Sequence, residues 1–141
     1  MAPPEERPVF RPAEVVTKES ALEAFESGDV ERIRLALMDS SRCLDDSWVF
    51  PHAWRFVRHP DSKVRWAAVF ALDQVRSELV RDCLTGEISK SDDSPALVLT
   101  GLATSDPDPL IREIAGATLL DLIGDLANRV REGTSDDESA P

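Results

Sequence analysis

Few residues in this chain are suited to catalysis or metal binding. The sequence contains two histidines, His52 and His59, and two cysteines, Cys43 and Cys83. The histidines are two helical turns apart, about 10 Å along a helix, and the cysteines are 40 residues apart. Neither spacing resembles a zinc site or a Cys-x-x-Cys redox motif. We therefore predict no metal, no cofactor and two reduced, structural thiols typical of a cytosol, with a disulfide between them as the alternative.

Three pairs of adjacent aspartates are further candidate acid–base groups, namely Asp45-Asp46, Asp92-Asp93 and Asp136-Asp137. All three occupy predicted loops or the C-terminal segment, where acidic side chains stabilise the positive ends of helices. Asp92 and Asp93 are also candidate contacts for a partner. The sequence has neither a Gly-rich phosphate loop nor a Gly-x-Ser-x-Gly elbow. The chain is therefore predicted not to be an enzyme.

The three tryptophans, Trp48, Trp54 and Trp66, lie close together in the sequence. Such residues either pack a core or, where they reach the surface, anchor a partner, because tryptophan is enriched at binding hot spots. Trp66 falls off the apolar stripe of its predicted helix and is the first candidate for a partner contact. Trp48, at the predicted start of another helix, is the second.

The chain is acidic, with 27 Asp and Glu residues against 16 Lys and Arg and a formal net charge of −11. Such a surface repels the phosphates of nucleic acids and anionic membranes, and it complements a basic protein. The N-terminal residues lack the apolar segment of a secretory signal, and no apolar run approaches the roughly 20 residues of a membrane span. We therefore expect a cytoplasmic protein with a protein partner, and no nucleic acid or membrane binding.

A sequence motif that occurs twice indicates which elements position these side chains. Residues 59–65 read His-Pro-Asp-Ser-Lys-Val-Arg, and residues 106–112, 47 positions later, read Asp-Pro-Asp-Pro-Leu-Ile-Arg. A Pro-Asp turn, an aliphatic–arginine pair and a helix with small residues on one face form a unit that stacks on its copies. Self-similarity at this period is typical of an α-solenoid.

Apolar periodicity and capping residues predict six helices in antiparallel pairs. The first follows Ser20, which forms a capping box with Glu23, and the second follows Asp29. The third spans about residues 47–58 and contains Pro51, which should bend it or delay its start.

The other three predicted helices belong to the repeated phrases and their surroundings. The fourth follows Asp61 and carries its apolar stripe to Leu79. The fifth starts with Ser94 as its cap and Pro95 as its first residue, and the sixth runs from the turn at residues 106–109 to Gly133. Three segments follow from this pattern: a Pro-rich extended arm at 1–12, a helical domain at 13–132 and a disordered acidic tail at 133–141.

The two copies resemble HEAT repeats over about residues 47–128. The resemblance rests on Pro51 in a first helix, on the Pro-Asp turns and on the aliphatic–arginine pairs. In that family, a turn aspartate and an arginine of the second helix commonly form a ladder between stacked repeats. By position, the resemblance assigns the aspartate to Asp106 and the arginines to Arg65 and Arg112.

The first copy departs from the family pattern, because His59 stands where the turn aspartate is expected. Asp61 and Asp108 are the alternative acceptors. Residues 20–42 fit a helical pair without the motif, and they are either a degenerate repeat or a cap. The resemblance implies an all-α fold, a short right-handed α-solenoid of about three antiparallel helical hairpins with two clear repeats and an N-terminal capping pair.

The predicted function is non-catalytic protein recognition, because stacked repeats present a large surface and no catalytic motif is present. The acidic surface favours a basic partner, and a specific form is an inhibitor or immunity-type protein that neutralises a basic enzyme. An adaptor or scaffold subunit of a larger assembly is one alternative. A HEAT-like enzyme acting on a nucleic acid or a small ligand is the other, and the acidic charge disfavours it.

Overall fold

The computed structural model describes residues 16–89 and 94–139, with side chains described except at 133–139. Within these ranges the chain forms seven α-helices and no strand. The helices are α1 (Lys18–Glu26), α2 (Val30–Cys43), α3 (Asp46–Phe56), α4 (Ser62–Gln74), α5 (Arg76–Thr85), α6 (Pro95–Ser105) and α7 (Pro109–Ser139). The all-α class predicted from the sequence is confirmed. The predicted arm at 1–12 lies outside the described residues.

Side-chain caps determine where the first helices begin. Asp29 and Asp61 accept hydrogen bonds from backbone N–H groups in the first turns of α2 and α4, as predicted. The predicted cap of α1 is wrong, because Thr17 and not Ser20 precedes the helix. Ser20 is the third helical residue, and it exchanges hydrogen bonds with Thr17. The box that was predicted with Glu23 therefore forms one turn earlier, between two hydroxyl side chains.

The two helix prolines Pro51 and Pro95 have different consequences. Pro51 lies inside α3, which nevertheless begins at Asp46, so the proline does not delay the start of the helix. Pro95 is the first residue of α6, where its missing N–H would have no helical partner. Ser94 accepts a hydrogen bond from the Leu97 N–H and caps α6 as predicted.

The single helix predicted from Asp61 to Leu79 is two helices in the structure. α4 ends at Gln74, Val75 adopts φ −106° and ψ 39°, and α5 begins at Arg76. Val75 is fully buried, so the break between the two helices leaves its apolar side chain in the core. The described residues therefore hold seven helices rather than the six predicted.

Three helical hairpins and the additional helix α5 make up the described fold. Helices α1 and α2, α3 and α4, and α6 and α7 pack in pairs, and α5 contacts α3, α4, α6 and α7. Helix α4 also contacts both α2 and α7, so the second helices of the hairpins follow one another as α2, α4 and α7. Fully buried side chains fill the space between them, among them Val64, Ala68, Leu72, Ala115 and Leu122.

The turns before α2, α4 and α7 share one hydrogen-bond pattern. In each turn, a capping aspartate donates its N–H to the side chain two residues before it. These bonds join Asp29 to Ser27 Oγ (3.1 Å), Asp61 to His59 Nδ1 (3.0 Å) and Asp108 to Asp106 Oδ1 (2.9 Å). Each aspartate carboxylate then accepts an N–H from the first turn of the next helix. The three hairpins therefore share one register at their turns.

Helix α7 is longer than predicted. It continues to Ser139, past Gly133, where the sequence predicts the end of the helix and the start of a disordered tail. A glycine inside a helix costs only about 1 kcal/mol relative to alanine, so it does not by itself end one. Residues 140–141 lie outside the described residues. Within 16–89 and 94–139, no helix combines the length and the apolarity that a bilayer span requires.

Candidate functional site

Trp66 lies in an open cleft where the first turns of the three second helices meet. The cleft has a volume of about 340 Å³ and is lined by Glu31, Arg34, Ser62, Lys63, Trp66, Asp108 and Leu110. Trp66 is half-buried, and Leu110 is exposed over 62% of its surface. The structure thus places the first predicted partner contact in a recess to which all three hairpins contribute.

Three of the cleft residues occupy equivalent positions in the hairpins. Glu31, Lys63 and Leu110 each follow the capping aspartate of their turn by two residues. None of the three is a predicted site residue, and Glu31 lies in α2, outside the two copies of the 47-residue repeat. The signal that marks them is the shared register of the capping aspartates.

Aromatic stacking holds the Trp66 indole in place. Its ring centre lies 5.6 Å from that of Phe70, one turn further along α4, and the ring planes are 15° apart. The Arg42 guanidinium of α2 lies 5.6 Å from the centre of the same Phe70 ring, a cation–π geometry. Because neighbours already restrict the indole, Trp66 would lose little side-chain entropy on binding a partner.

The rim of the cleft carries two carboxylates and two cations. Glu31 accepts two hydrogen bonds from Arg34, one of them from Nε at 3.2 Å. Hydrogen bonding to Arg34 is the main reason that the pKa of Glu31 is lowered, and the charges of Arg34 and Lys63 add to it. Lys63 and Asp108 complete the rim. The described rim is therefore balanced in charge.

Trp48, the second predicted partner contact, does not line this cleft. Trp48, at the start of α3, is half-buried and packs against the core. Its ring centre lies 4.3 Å from that of His52 and 6.4 Å from that of Phe25. Asp92 and Asp93 lie outside the described residues.

His52 belongs to this aromatic cluster. Its Nδ1 atom is buried and has no hydrogen-bond partner among the described residues. Burial is the largest cause that lowers the pKa of His52, and the positive charge of Arg55 lowers it further, while Glu26 acts in the opposite direction. The imidazole therefore packs as a neutral ring.

We expect His52 to make the stability of the protein depend on pH. Its pKa is about 6.5 in the unfolded chain and lower in the folded chain, so the unfolded state binds the proton first. Stability is therefore complete above about pH 6.5 and falls as the pH drops from there toward the folded pKa. His52→Phe keeps a ring in the cluster and should flatten this part of the profile, as measured by urea unfolding across that range. An unchanged pH dependence in the variant would contradict this role.

Arg65 and Asp106 form a buried bidentate ion pair. Arg65 Nε and Nη2 donate to the two carboxylate oxygens of Asp106 at 2.9 and 3.1 Å, and the side chains expose only 12% and 4% of their surfaces. Arg65 Nη1 also donates to the carbonyls of His59 and Pro60. Arg112, the equivalent residue of the second copy, donates from Nη1 to the Asp106 carbonyl at 2.6 Å. The pair thus links α4 to the turn that precedes α7.

Opposing effects act on the Asp106 carboxyl. Burial alone would raise the pKa of Asp106, but hydrogen bonds from Arg65 and from the Asp108 N–H oppose it, as do the charges of Arg65 and Arg112. These interactions together outweigh burial and hold the pKa below its usual value. Asp106 is therefore ionised at neutral pH and stays paired with Arg65.

The alternative acceptors Asp61 and Asp108 have a different role. The Asp61 carboxylate accepts the N–H groups of Lys63 and Val64, and the Asp108 carboxylate accepts that of Leu110. Both side chains therefore cap helices.

The absence of an aspartate at position 59 has a counterpart in the first hairpin. Ile33 follows its capping aspartate by four residues, the position that Arg65 holds in α4. Ile33 is buried, and the His59 ring lies 6.0 Å from that of Phe56. In the ladder between the first and second hairpins, Ile33 therefore replaces the arginine and His59 replaces the aspartate. Because both partners are replaced, the histidine leaves no ladder arginine unpaired at this rung.

Two further polar anchors hold α5 in position, and the sequence did not predict them. Arg76 Nε donates to the Asp125 carboxylate at 2.8 Å and ties the start of α5 to α7, with Asp73 also in reach. The buried Asp82 carboxylate accepts the N–H of Ser89 at 3.1 Å and fixes the loop after α5. Both anchors depend on contacts that no local pattern encodes.

Among the described residues, no three His, Cys, Asp or Glu side chains form a group that could hold a metal ion. Cys43 and Cys83 are both free thiols. Burial raises the pKa of Cys83, so this thiol is poorly suited to act as a nucleophile.

No family model, curated protein or solved structure matches the chain. Its own geometry defines an all-α protein with an aromatic cleft to which three helical hairpins contribute. The functional argument starts from that cleft.

Proposed function

We propose that the chain is a short right-handed α-solenoid of the HEAT-like kind, with α3/α4 and α6/α7 as its repeats and α1/α2 as an N-terminal cap. Three observations support this proposal. The turns of the hairpins share one hydrogen-bond pattern, and the second helices contact each other in chain order. The bidentate bond between Arg65 and Asp106 joins the residues that the resemblance to HEAT repeats assigns to a ladder.

We further propose that the protein is a non-catalytic protein-binding module and that the Trp66 cleft is its binding site. The observation that carries this proposal is the half-buried Trp66 indole, stacked on Phe70 and set beside the exposed Leu110. Aromatic anchors in a recess with a polar rim are typical of binding hot spots. The rim charges of Glu31, Arg34 and Lys63 would orient a partner around the indole.

The proposed partner is a basic protein. A net charge of −11 raises the rate of encounter with a basic surface and repels polyanions. In its specific form, the proposal is that the protein covers the functional surface of a basic enzyme in the cytoplasm, as an inhibitor or immunity-type protein does. Steering of this kind weakens as salt screens the charges, because the Debye length falls to about 3 Å at 1 M.

Capture of the partner by the tagged full chain in extracts of the native host tests this function. We expect a basic protein that is retained at low ionic strength and lost at high ionic strength. Trp66→Ala should weaken its binding about 30-fold, the effect of a hot-spot residue worth about 2 kcal/mol. Leu84→Ala, at an exposed apolar residue of α5 that does not line the cleft, is the matched control.

Two results would contradict the proposed function. Wild-type binding by Trp66→Ala would remove the cleft as the site. Binding that does not change with salt would instead favour the adaptor alternative, in which an apolar surface holds the partner.

A further inference from the structure

The α6/α7 hairpin, the last of the three hairpins described, exposes large apolar side chains. Leu97 of α6 is 63% exposed, and Leu120 and Ile123 of α7 are 72% and 51% exposed. Leu120 and Ile123 are three residues apart, so they lie on one side of α7. None of the three lines the Trp66 cleft.

The first copy of the repeat shows what covers two of these positions. At the 47-residue offset, Leu97 corresponds to Phe50 and Arg112 to Arg65, and Phe50 is only 2% exposed. Phe50 lies in a small cleft with residues of α5, and Arg65 binds Asp106 in the turn before α7. Both positions of the first copy are therefore covered or bonded by elements that follow it in the chain.

The second copy has no such covering element among the described residues. The bonds of its arginine, Arg112, also differ from those of Arg65. Arg65 uses Nη1 for backbone carbonyls and its Nε and Nη2 for the Asp106 carboxylate. Arg112 also uses Nη1 for a backbone carbonyl. Among the residues whose side chains the structure describes, no carboxylate lies at salt-bridge distance from Arg112, which is exposed.

We propose that this end face, defined by Leu97, Arg112, Leu120 and Ile123, docks a helical segment of a partner protein that supplies a carboxylate to Arg112. Apolar side chains of that segment cover the three aliphatic residues, as α5 covers Phe50. Its carboxylate accepts the bidentate bond that Asp106 accepts from Arg65, and a guanidinium–carboxylate pair of this geometry is both strong and specific. The proposal does not depend on the Trp66 cleft.

A second copy of this chain is a poorer occupant of the end face. At its other end the chain has Ser27 in the position that Asp106 holds in the last hairpin, so head-to-tail stacking would offer Arg112 a hydroxyl instead of a carboxylate. Each copy also carries a net charge of −11, which opposes self-association. Register and charge therefore favour a different protein over a second copy as the source of the carboxylate.

Photo-crosslinking in the native host tests the end face directly. A benzophenone amino acid replaces Leu120 or Leu97 in the full-length chain, and in a control it replaces Leu84 of α5, which is 56% exposed. We expect one heterologous product from both end-face positions and not from the control. Mass spectrometry should place the attachment on a helical segment that contains Asp or Glu.

Variants of Arg112 distinguish specific docking from apolar adhesion. Arg112→Glu should reduce the crosslinked product at least tenfold, and Arg112→Lys should reduce it less, because lysine keeps the charge without the bidentate fork. Trp66→Ala should leave the product unchanged, which separates this proposal from the proposed function.

Four outcomes would overturn the proposal. They are the absence of a crosslinked product, a product of two copies of the chain, the same product from Leu84, and an undiminished product in Arg112→Glu. Because Arg112 is exposed, circular dichroism is expected to show the wild-type fold in both variants. If Arg112→Glu loses the fold and Arg112→Lys keeps it, the proposal is tested with Arg112→Lys. An undiminished crosslinked product in that variant would overturn the proposal.

Discussion

Replacing Asp106 with asparagine is expected to lower the free energy of unfolding by about 3 kcal/mol. The substitution leaves the Arg65 guanidinium, which is 12% exposed, without its carboxylate. An uncompensated buried charge destabilises a fold far more than the loss of an exposed ion pair. For a chain of this size the melting temperature should fall by roughly 10 °C. Urea unfolding at neutral pH measures the effect.

Two further variants show whether the buried charge is responsible. Asp108→Asn makes the same change two residues later, where asparagine can still cap α7, and it should cost less than about 1 kcal/mol. Adding Arg65→Met to Asp106→Asn should recover part of the loss, because the uncompensated charge is then gone. A loss for Asp106→Asn no larger than that for Asp108→Asn would contradict the structural role of the pair.

The same pair should contribute to the acid limb of the stability profile. The pKa of Asp106 is lower in the folded chain than its usual value, so the unfolded state binds the proton first. The contribution is complete above about pH 4, the usual carboxyl pKa, and is lost as the pH falls through the folded pKa. The acid limb of Asp106→Asn should therefore be shallower than that of the wild type.

Enlarging the small residues between the second helices is the other large expected effect. Ala68→Leu and Ala115→Leu should each destabilise the protein by about 1–3 kcal/mol, because both alanines are fully buried and have no room for three more carbon atoms. The two positions are equivalent in the two copies, and each lies on a helix that contacts another second helix. Thermal and urea unfolding of both variants measure the effect.

Ala117→Leu is the matched control, because Ala117 is exposed on the same helix as Ala115. Its effect should stay within about 0.5 kcal/mol. Wild-type melting in both buried variants would contradict the close packing of α2, α4 and α7.

The repeated phrase predicts much of the fold because its information is local. Asp61 and Ser94 cap the predicted helices, and Pro95 stands at the predicted first position. The break at Val75 was missed because no glycine or proline marks it in the sequence. The contacts of α5 with four other helices accompany this break, and apolar periodicity does not encode such contacts.

The candidate site was only partly predictable. The sequence indicates Trp66 because this residue lies off the apolar stripe of its predicted helix, and in the structure Trp66 lines the cleft. Arg34 and Leu110 were missed, because their significance depends on how the hairpins align side by side. The sequence also does not reveal that Ile33 and His59 replace both partners of one ladder rung. The two residues lie 26 positions apart, and only the alignment of the hairpins relates them.

Hydrogen exchange of the protein, free and bound to the basic partner captured from its host, tests the central claim most directly. We predict that binding slows amide exchange at the first turns of α2, α4 and α7, the segments that surround Trp66. Protection confined to α1 and α3, or no protection in the three turns, would contradict the assignment of this cleft as the binding site.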